Sequence, residues 1–327
     1  MHYRSISDMN AAILKNMHRL PRDLDLVVGV PRSGLLAANL LALLGNLRLT
    51  DLDSYVEGRT YTSGTTKAAG MREVGPGPRK VLVLDDSISG GHAMTAARRR
   101  VAAAGLADEV TFGAVYGAEP SHPEADIVFE TVPQPRVFQW NFMHHVVLER
   151  ACVDIDGVLC HDPSESENDD GPAYLRFLTE ARPLYGMTHP IGTLVTSRLE
   201  RYRPQTEAWL AGLGLRYDKL VMLDLPSQAE RRRLGAHGSF KADHYRQSDA
   251  VLFIESENRQ AQTIAQASGK PVLCLETHTL IEPSLGALLS SLPKAGSAEQ
   301  GKRVIKQAAR AVLGPQRYAA LKKRLLS

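Results

Sequence analysis

Short apolar runs alternating with helix-like segments constrain the fold of this chain more than any other feature. In "LDLVVGV" (24–30), "KVLVLDD" (80–86) and "EVTFGAVYG" (109–117) the apolar residues follow one another with little polar alternation, as in strands covered on both faces. Between them, "SGLLAANLLALLG" (33–45) and "AMTAARRRVAAAG" (93–105) read as helices that close on Gly45 and Gly105. Strand–helix alternation implies parallel sheets sandwiched by helices, the α/β class. The rhythm restarts at "VVLERACVDIDG", with strands expected near 192–196, 219–223, 251–254 and 271–275. The expectation is two doubly wound α/β domains, 1–147 and 148–296, and a basic helical tail over 297–327.

Composition narrows the function classes. A net charge of +3 over 327 residues provides no global field for nucleic acid, so none is expected as a partner. Cys152, Cys160 and Cys274 lack metal spacing and are odd in number, which argues against a disulfide framework. The N-terminus lacks the apolar core of a signal peptide, and Leu35–Leu44 is too short to span a bilayer. A cytoplasmic location is the expectation. The tail "GKRVIKQAARAVLGPQRYAALKKRLLS" carries cations without acids at amphipathic helical spacing. It reads as a solvated helix, with peripheral contact to an anionic membrane as the alternative.

Two stretches carry chemistry. "VLVLDDSISGGHAM" (81–94) places Asp85 and Asp86 at the carboxyl end of a strand, just before a Gly-rich turn that opens a helix. Helix N-termini bind phosphate, and nearby carboxylates repel it. The two are compatible if the ligand carries sugar hydroxyls beside its phosphate, because carboxylates accept hydrogen bonds from a diol. The second stretch, "CVDIDGVLC" (152–160), ends an apolar run in Asp154 and Asp156. Two aspartates spaced by one residue suit covalent phosphoryl transfer. Asp154 can act as nucleophile and Asp156 as proton donor and acceptor.

The first motif resembles the PRPP signature of type I phosphoribosyltransferases. The resemblance implies that Asp85 and Asp86 hold the ribose 2- and 3-hydroxyls while Ser89, Gly90, Gly91 and His92 wrap the 5-phosphate. His92 replaces the second hydroxyl residue usual there. "VVGVPRSGLLAA" (27–38) is similar to the family's pyrophosphate loop, which implies pyrophosphate contacts from Pro31, Arg32, Ser33 and Gly34. The stretch 57–79, rich in Gly, Thr and cations, has the place of a mobile active-site loop. Arg59, Lys67 and Arg72 are its candidates for neutralising pyrophosphate, with Lys67 put forward. "WNFMHH" (140–145) reads as packing between the domains, with a place in the acceptor site as the alternative.

The second motif resembles motif I of the haloacid dehalogenase superfamily, and three further motifs follow in order. "GTLVTSR" (192–198) ends its strand at Thr196, for holding the phosphoryl group. "GSFKADHY" contributes Lys241, and "AVLFIES" ends in Glu255. The resemblance implies Mg²⁺ held by Asp154, Asp156 and Glu255, with Ser256 or Glu257 where a second acid is usual. Mg²⁺ is expected in both domains. Little chain separates Gly157 from the motif II strand, so little or no cap is expected and a large substrate could enter. The combination resembles bacterial ribofuranosyltransferases acting on surface polysaccharide. It implies transfer of 5-phosphoribosyl from PRPP to an acceptor, glycan in preference to a small heterocycle, followed by removal of the 5-phosphate. Two alternatives are a nucleoside-forming enzyme acting on a nucleobase and a PRPP-binding regulator.

Overall fold

A computed structural model describes residues 1–286 apart from 62, 63, 65–69, 72, 76, 169, 228, 231, 232, 234, 235 and 285. Lys67, Arg72 and the basic tail lie outside the described residues. The chain forms two compact units, Met1–Trp140 and Asn141 onward. The division falls a few residues before the boundary read from the apolar pattern. Phe142–His144 and Val146–Arg150 are 3₁₀ turns, and the second of them leads directly into the second sheet.

The first unit runs β1 (His2–Arg4), α1 (Ile6–Asn16), β2 (Leu26–Gly29), α2 (Ser33–Gly45), β3 (Arg48–Asp51), α3 (Leu52–Val56), β4 (Lys80–Ile88), α4 (His92–Ala104), β5 (Glu109–Gly117), β6 (Ile127–Thr131) and β7 (Arg136–Phe138). Its main sheet has the order β3-β2-β4-β5-β6 and is parallel throughout. β1 and β7 form a separate parallel pair. The uninterrupted apolar runs follow from burial on both faces. Val27, Leu82 and Leu84 pack with Met9, Ile13 and Leu41, while Val28, Val81 and Val83 pack with Met94 and Ala97. Each such large side chain contributes about 1.5–3 kcal/mol relative to exposure. Gly29 permits α2 to lie against β2: a Cβ there would meet the Leu35 Cα at 2.7 Å.

The second unit runs β8 (Ala151–Val153), α5 (Pro172–Glu180), β9 (Ile191–Leu199), α6 (Arg203–Gly212), β10 (Tyr217–Leu223), α7 (Ala236–Gln247), β11 (Leu252–Glu255), α8 (Asn258–Ser268), β12 (Val272–Cys274) and β13 (Thr279–Ile281). The sheet order is β10-β9-β8-β11-β12-β13, parallel except for β13. Between β8 and β9 the described chain has a single short helix, α5.

In both sheets the chain reverses its winding direction beside one central strand. In the first unit β2 and β4 are neighbours, although β3 intervenes in sequence. In the second, β8 and β11 are neighbours and β9 lies on the other side. Open α/β sheets bind ligands at the carboxyl ends of strands at such switch points. Both acid motifs stand at these places.

Candidate functional site

In the first unit the strand is longer than its apolar run. β4 stays paired with β5 through Asp85↔Ala114 to Ile88↔Gly117, so both acids lie within the strand and not at its end. Buried Arg136 donates to the Ile88 carbonyl at 2.8 Å and caps this extension. On the β2 side, pairing stops at Gly29↔Leu84. Asp85 and Asp86 therefore lie past the end of β2, beside the start of α2.

The start of α2 closes on these acids. A Cβ on Gly34 would lie 2.9 Å from Asp85 Oδ1 and 2.8 Å from the Leu84 carbonyl, so no side chain fits at that position. Ser33 Oγ donates to Asp86 Oδ1 at 2.8 Å. Trp140 Nε1 donates to Asp86 Oδ2 at 2.7 Å, and the Trp140 ring stacks on Phe138 at 4.7 Å. Asp86 is thus fixed by two side-chain donors, whereas Asp85 Oδ1 accepts the Asp86 amide at 2.9 Å. Burial, and after it the Asp86 charge, pushes the Asp85 carboxyl up to about 8. Arg32 and Pro31 are exposed beside this cluster, and the peptide between them is cis.

The Gly-rich turn follows β4. Ser89 and Gly90 precede the helix, and Gly91 caps α4 with φ +76°. A Cβ on Gly91 would stand 2.5 Å from His122 Cε1. The His92 side chain is exposed at the first residue of α4. The first amides of a helix lack intrahelical acceptors and carry the positive end of its dipole. Arg59, the one described member of the three loop cations, is exposed and pairs with Glu57.

In the second unit, β8 and β11 end side by side and deliver Asp154 and Glu255. Lys241, from α7, lies between them. Its Nζ is 2.5 Å from Asp154 Oδ2, 2.8 Å from Glu255 Oε2 and 3.1 Å from Gln260 Oε1. All three charged groups are buried. Burial acts to lower the Lys241 pKa, but the two carboxylates outweigh it and raise the value, so the ammonium stays charged. Burial is also the largest influence on Asp154 and pushes it up to about 8. Lys241 opposes this, and the Glu255 and Asp156 charges add to it. One ammonium serves two buried carboxylates, which leaves the cluster short of positive charge.

Asp156 faces the same cavity, about 250 Å³, together with Asp154, Asp162, Ser197, Lys241 and Glu257. Its carboxylate takes the guanidinium of Arg198, with Nη2 at 2.6 Å and Nε at 3.1 Å from Oδ1. Gly157 makes the turn after Asp156 at φ +74°, where a Cβ would strike Ser256 Oγ at 2.4 Å and Asp162 Oδ2 at 2.7 Å. Burial raises the Asp162 pKa, and the charges of Asp156 and Glu255 raise it further. Glu255 Oε1 accepts the Ser256 and Glu257 amides, at 3.0 and 3.4 Å.

Thr196 differs from its sequence expectation. β9 continues to Leu199, so Thr196 lies within the strand. It is fully buried, and its Oγ1 accepts the Arg198 amide at 3.2 Å. The neighbouring residue, Ser197, lines the cavity. The strand extends because β10 pairs with it as far as Leu223↔Leu199, across a register shift.

No three Asp, Glu, His or Cys side chains among the described residues converge to hold a metal by themselves. Mg²⁺ commonly takes only one or two carboxylates and keeps several waters. Asp154 and Glu255 supply such a pair of hard oxygen donors at a place deficient in positive charge. These residues fit Mg²⁺, with the Asp156 carboxylate engaged by Arg198 instead. A larger cavity, about 480 Å³, lies at the opposite, amino ends of these strands and is lined by Glu149, Gly192, Asp218 and His244. Its size does not make it the reactive centre, because the convergent acids and the lysine are at the carboxyl ends.

Sequence reasoning misses Trp140 as a partner of Asp86, Arg198 as a partner of Asp156, and Asp162. The "TSR" run and the acid after "LCH" are visible in the sequence, but nothing local assigns their partners.

No family model matches the chain, and no curated protein matches it. Among solved structures, the N-terminal part is similar to a purine phosphoribosyltransferase from Pyrococcus horikoshii Ot3, at 18% identity and TM-score 0.30 over 42% of this chain and 92% of that one. It is also similar to the xanthine-guanine-hypoxanthine phosphoribosyltransferase of Helicobacter pylori, at 14% identity and TM-score 0.30 over 43% and 91% of the two chains. A third similar structure is TT1426 from Thermus thermophilus, at 18% identity and TM-score 0.29 over 41% and 86%. No helix among the described residues is long and apolar enough to cross a membrane.

Proposed function

We propose that the chain is a two-step enzyme that installs a ribofuranosyl group. The first unit transfers 5-phosphoribosyl from PRPP to an acceptor, a glycan in preference to a heterocycle, and releases pyrophosphate. The second hydrolyses the 5-phosphate. One observation carries this reading: each unit brings a carboxylate pair from its sequence motif to the switch point of a parallel sheet.

In the first step, the Asp85 and Asp86 carboxylates accept hydrogen bonds from the ribose diol, and the 89–92 amides at the start of α4 take the 5-phosphate. After the turn at Pro31, the amides of Arg32, Ser33 and Gly34 and the Arg32 and Ser33 side chains address the pyrophosphate leaving group, joined by Lys67 from the loop. Fixing Asp86 through Ser33 and Trp140 orients one acid before the ligand arrives.

In the second step, a carboxylate oxygen of Asp154 attacks phosphorus, and the bond from phosphorus to the ribosyl oxygen breaks. Asp156 gives its proton to that oxygen. It then takes a proton from the water that attacks the aspartyl phosphate, which frees inorganic phosphate and restores Asp154. Lys241 keeps Asp154 in place and offers positive charge to the phosphoryl oxygens, with Thr196 or Ser197 beside them. Mg²⁺, held by Asp154 and Glu255, would supply the remaining neutralising charge.

The test is to incubate the protein with PRPP, Mg²⁺ and candidate acceptors while measuring pyrophosphate and inorganic phosphate. Both are expected, with Asp154→Asn yielding pyrophosphate and a phosphorylated ribosyl product. Pyrophosphate without phosphate from the unaltered protein would refute the two-step reading.

A further inference from the structure

The environment of Asp156 is more specific than an acid at the edge of a cavity requires. Asp156 Oδ1 receives three donors: Arg198 Nη2 at 2.6 Å, Arg198 Nε at 3.1 Å and the Cys160 thiol at 3.5 Å. Among the described residues, Oδ2 receives only a shared Nε contact at 3.2 Å. The two oxygens of this carboxylate are therefore unequal.

Arg198 is built into the core. It has no solvent exposure, and its guanidinium carbon lies 5.6 Å from the Phe177 ring centre and 5.5 Å from that of Trp209. Trp209 is itself fixed by donating to the Ala181 carbonyl at 2.8 Å. Two aromatic rings flank the guanidinium, and the Arg198 amide is tied to Thr196 Oγ1. A long side chain held this way has little rotamer freedom left to lose, so the fork acts as a fixed donor pair. A solvated arginine would not do this, because exposed ion pairs contribute little and move.

Resting on the phosphatase reading of the second unit, we propose that Arg198 is the positioning residue for proton transfer by Asp156. It holds Oδ1 through Nη2 and shares Nε between the two oxygens, so Oδ2, the less engaged of the pair, is the atom that carries the proton. When the ester bond breaks, that proton passes from Oδ2 to the leaving oxygen, and Arg198 compensates the carboxylate that forms. When water attacks the aspartyl phosphate, a proton returns to Oδ2. Arg198 has no exposed surface and meets the reaction through the Asp156 carboxylate alone. Its effect passes through Asp156.

This role predicts a dependence on the leaving group. A poor leaving group, such as the sugar oxygen of ribose 5-phosphate, needs the proton in the transition state. The nitrophenolate of p-nitrophenyl phosphate hardly needs it. General acid catalysis contributes roughly 10²–10⁴-fold where it is needed. For Arg198→Gln, we expect kcat on ribose 5-phosphate to fall about 100-fold, kcat on p-nitrophenyl phosphate to fall less than about 5-fold, and both KM values to stay within about twofold. Arg198→Lys keeps the charge without the fork and is expected to recover part of the loss. In an Asp156→Asn background, adding Arg198→Gln is expected to change kcat less than about twofold, because residues acting as one unit are not additive.

Equal losses on the two substrates, or a full further loss in the Asp156→Asn background, would overturn the positioning role and leave the phosphatase reading intact. An unaltered protein that releases phosphate from neither substrate would overturn the phosphatase reading, and this inference with it. If Arg198→Gln fails to fold, the comparison of leaving groups in Arg198→Lys decides by the same criterion.

Discussion

Replacing Asp85 by Asn should stabilise the empty protein and remove its response to PRPP. Asp85 is 8% exposed and accepts one backbone amide, while the adjacent Asp86 already holds two side-chain donors. Burial and the Asp86 charge raise its pKa from 3.8 to about 8. Because the folded value exceeds the unfolded one, the folded state holds the proton more tightly. The stability due to this group is fully present below the unfolded value of 3.8 and is lost progressively as pH rises to about 8. The gap sets a ceiling of roughly 6 kcal/mol, and structural relaxation with water entry leaves about 2 kcal/mol as the expected effect. Asn keeps the shape and removes the charge. At about pH 8.5 the variant should therefore melt about 5 °C higher than the unaltered protein, with a much smaller gain at about pH 4.5. Adding PRPP and Mg²⁺ should raise the melting temperature of the unaltered protein and not that of the variant. Thermal denaturation at the two pH values reads both effects. A variant that is no more stable at the higher pH, or whose gain does not depend on pH, would refute the electrostatic account of this cluster.

Trp140→Phe removes the indole donor to Asp86 while keeping the stack on Phe138, and should raise KM for PRPP about 10-fold, the effect of one charge-assisted hydrogen bond. With Trp209 as the only other tryptophan, a PRPP-dependent change in emission should disappear in that variant. Lys241→Met leaves Asp154 and Glu255 buried without their cation, so unfolding should become easier by about 3–5 kcal/mol and phosphate release should cease while pyrophosphate release continues. Gly91→Ala forces a side chain into φ +76° against His122, and should cost about 1–2 kcal/mol by denaturant titration and weaken PRPP binding.

Local pattern defines the elements and leaves their partners open. The α2 helix and β5 strand occupy 33–45 and 109–117, as their apolar spacing and closing glycines imply. The ends of β4 and β9 escape such a reading because their last residues are largely polar. Asp85–Ile88 and Thr196–Leu199 stay extended through pairing with β5 and β10, and composition carries no sign of that pairing. β1 and β7 are not legible at all. Each is three residues long, and each exists because the other, from the far end of the unit, completes its hydrogen bonds. The candidate sites divide the same way. Asp85, Asp86, Asp154 and Asp156 are readable from two short motifs, since an acid after a buried strand is an unusual and local signal. The donors that orient them, Trp140 at 54 residues from Asp86 and Arg198 at 42 residues from Asp156, are set by tertiary packing alone.

The two clusters share one electrostatic condition and resolve it differently. In each, burial raises a carboxylate pKa to about 8, so the cluster is less stable than a neutral core would be. The first cluster meets Asp86 with neutral donors, a hydroxyl and an indole. On the proposed function, such a cluster would favour a ligand that supplies further neutral donors to the acids, which a ribose diol does, while the helix amides some residues away would take the phosphate. The second cluster contains its own ammonium, fixed between two acids, and a guanidinium fixed on a third. Under the same proposal, that cluster receives an anion directly onto a carboxylate: Lys241 is already in place beside Asp154, and bound Mg²⁺ would supply the positive charge the cluster lacks. Within the proposed function, this difference in donors is what assigns the diol to the first unit and the phosphoryl group to the second.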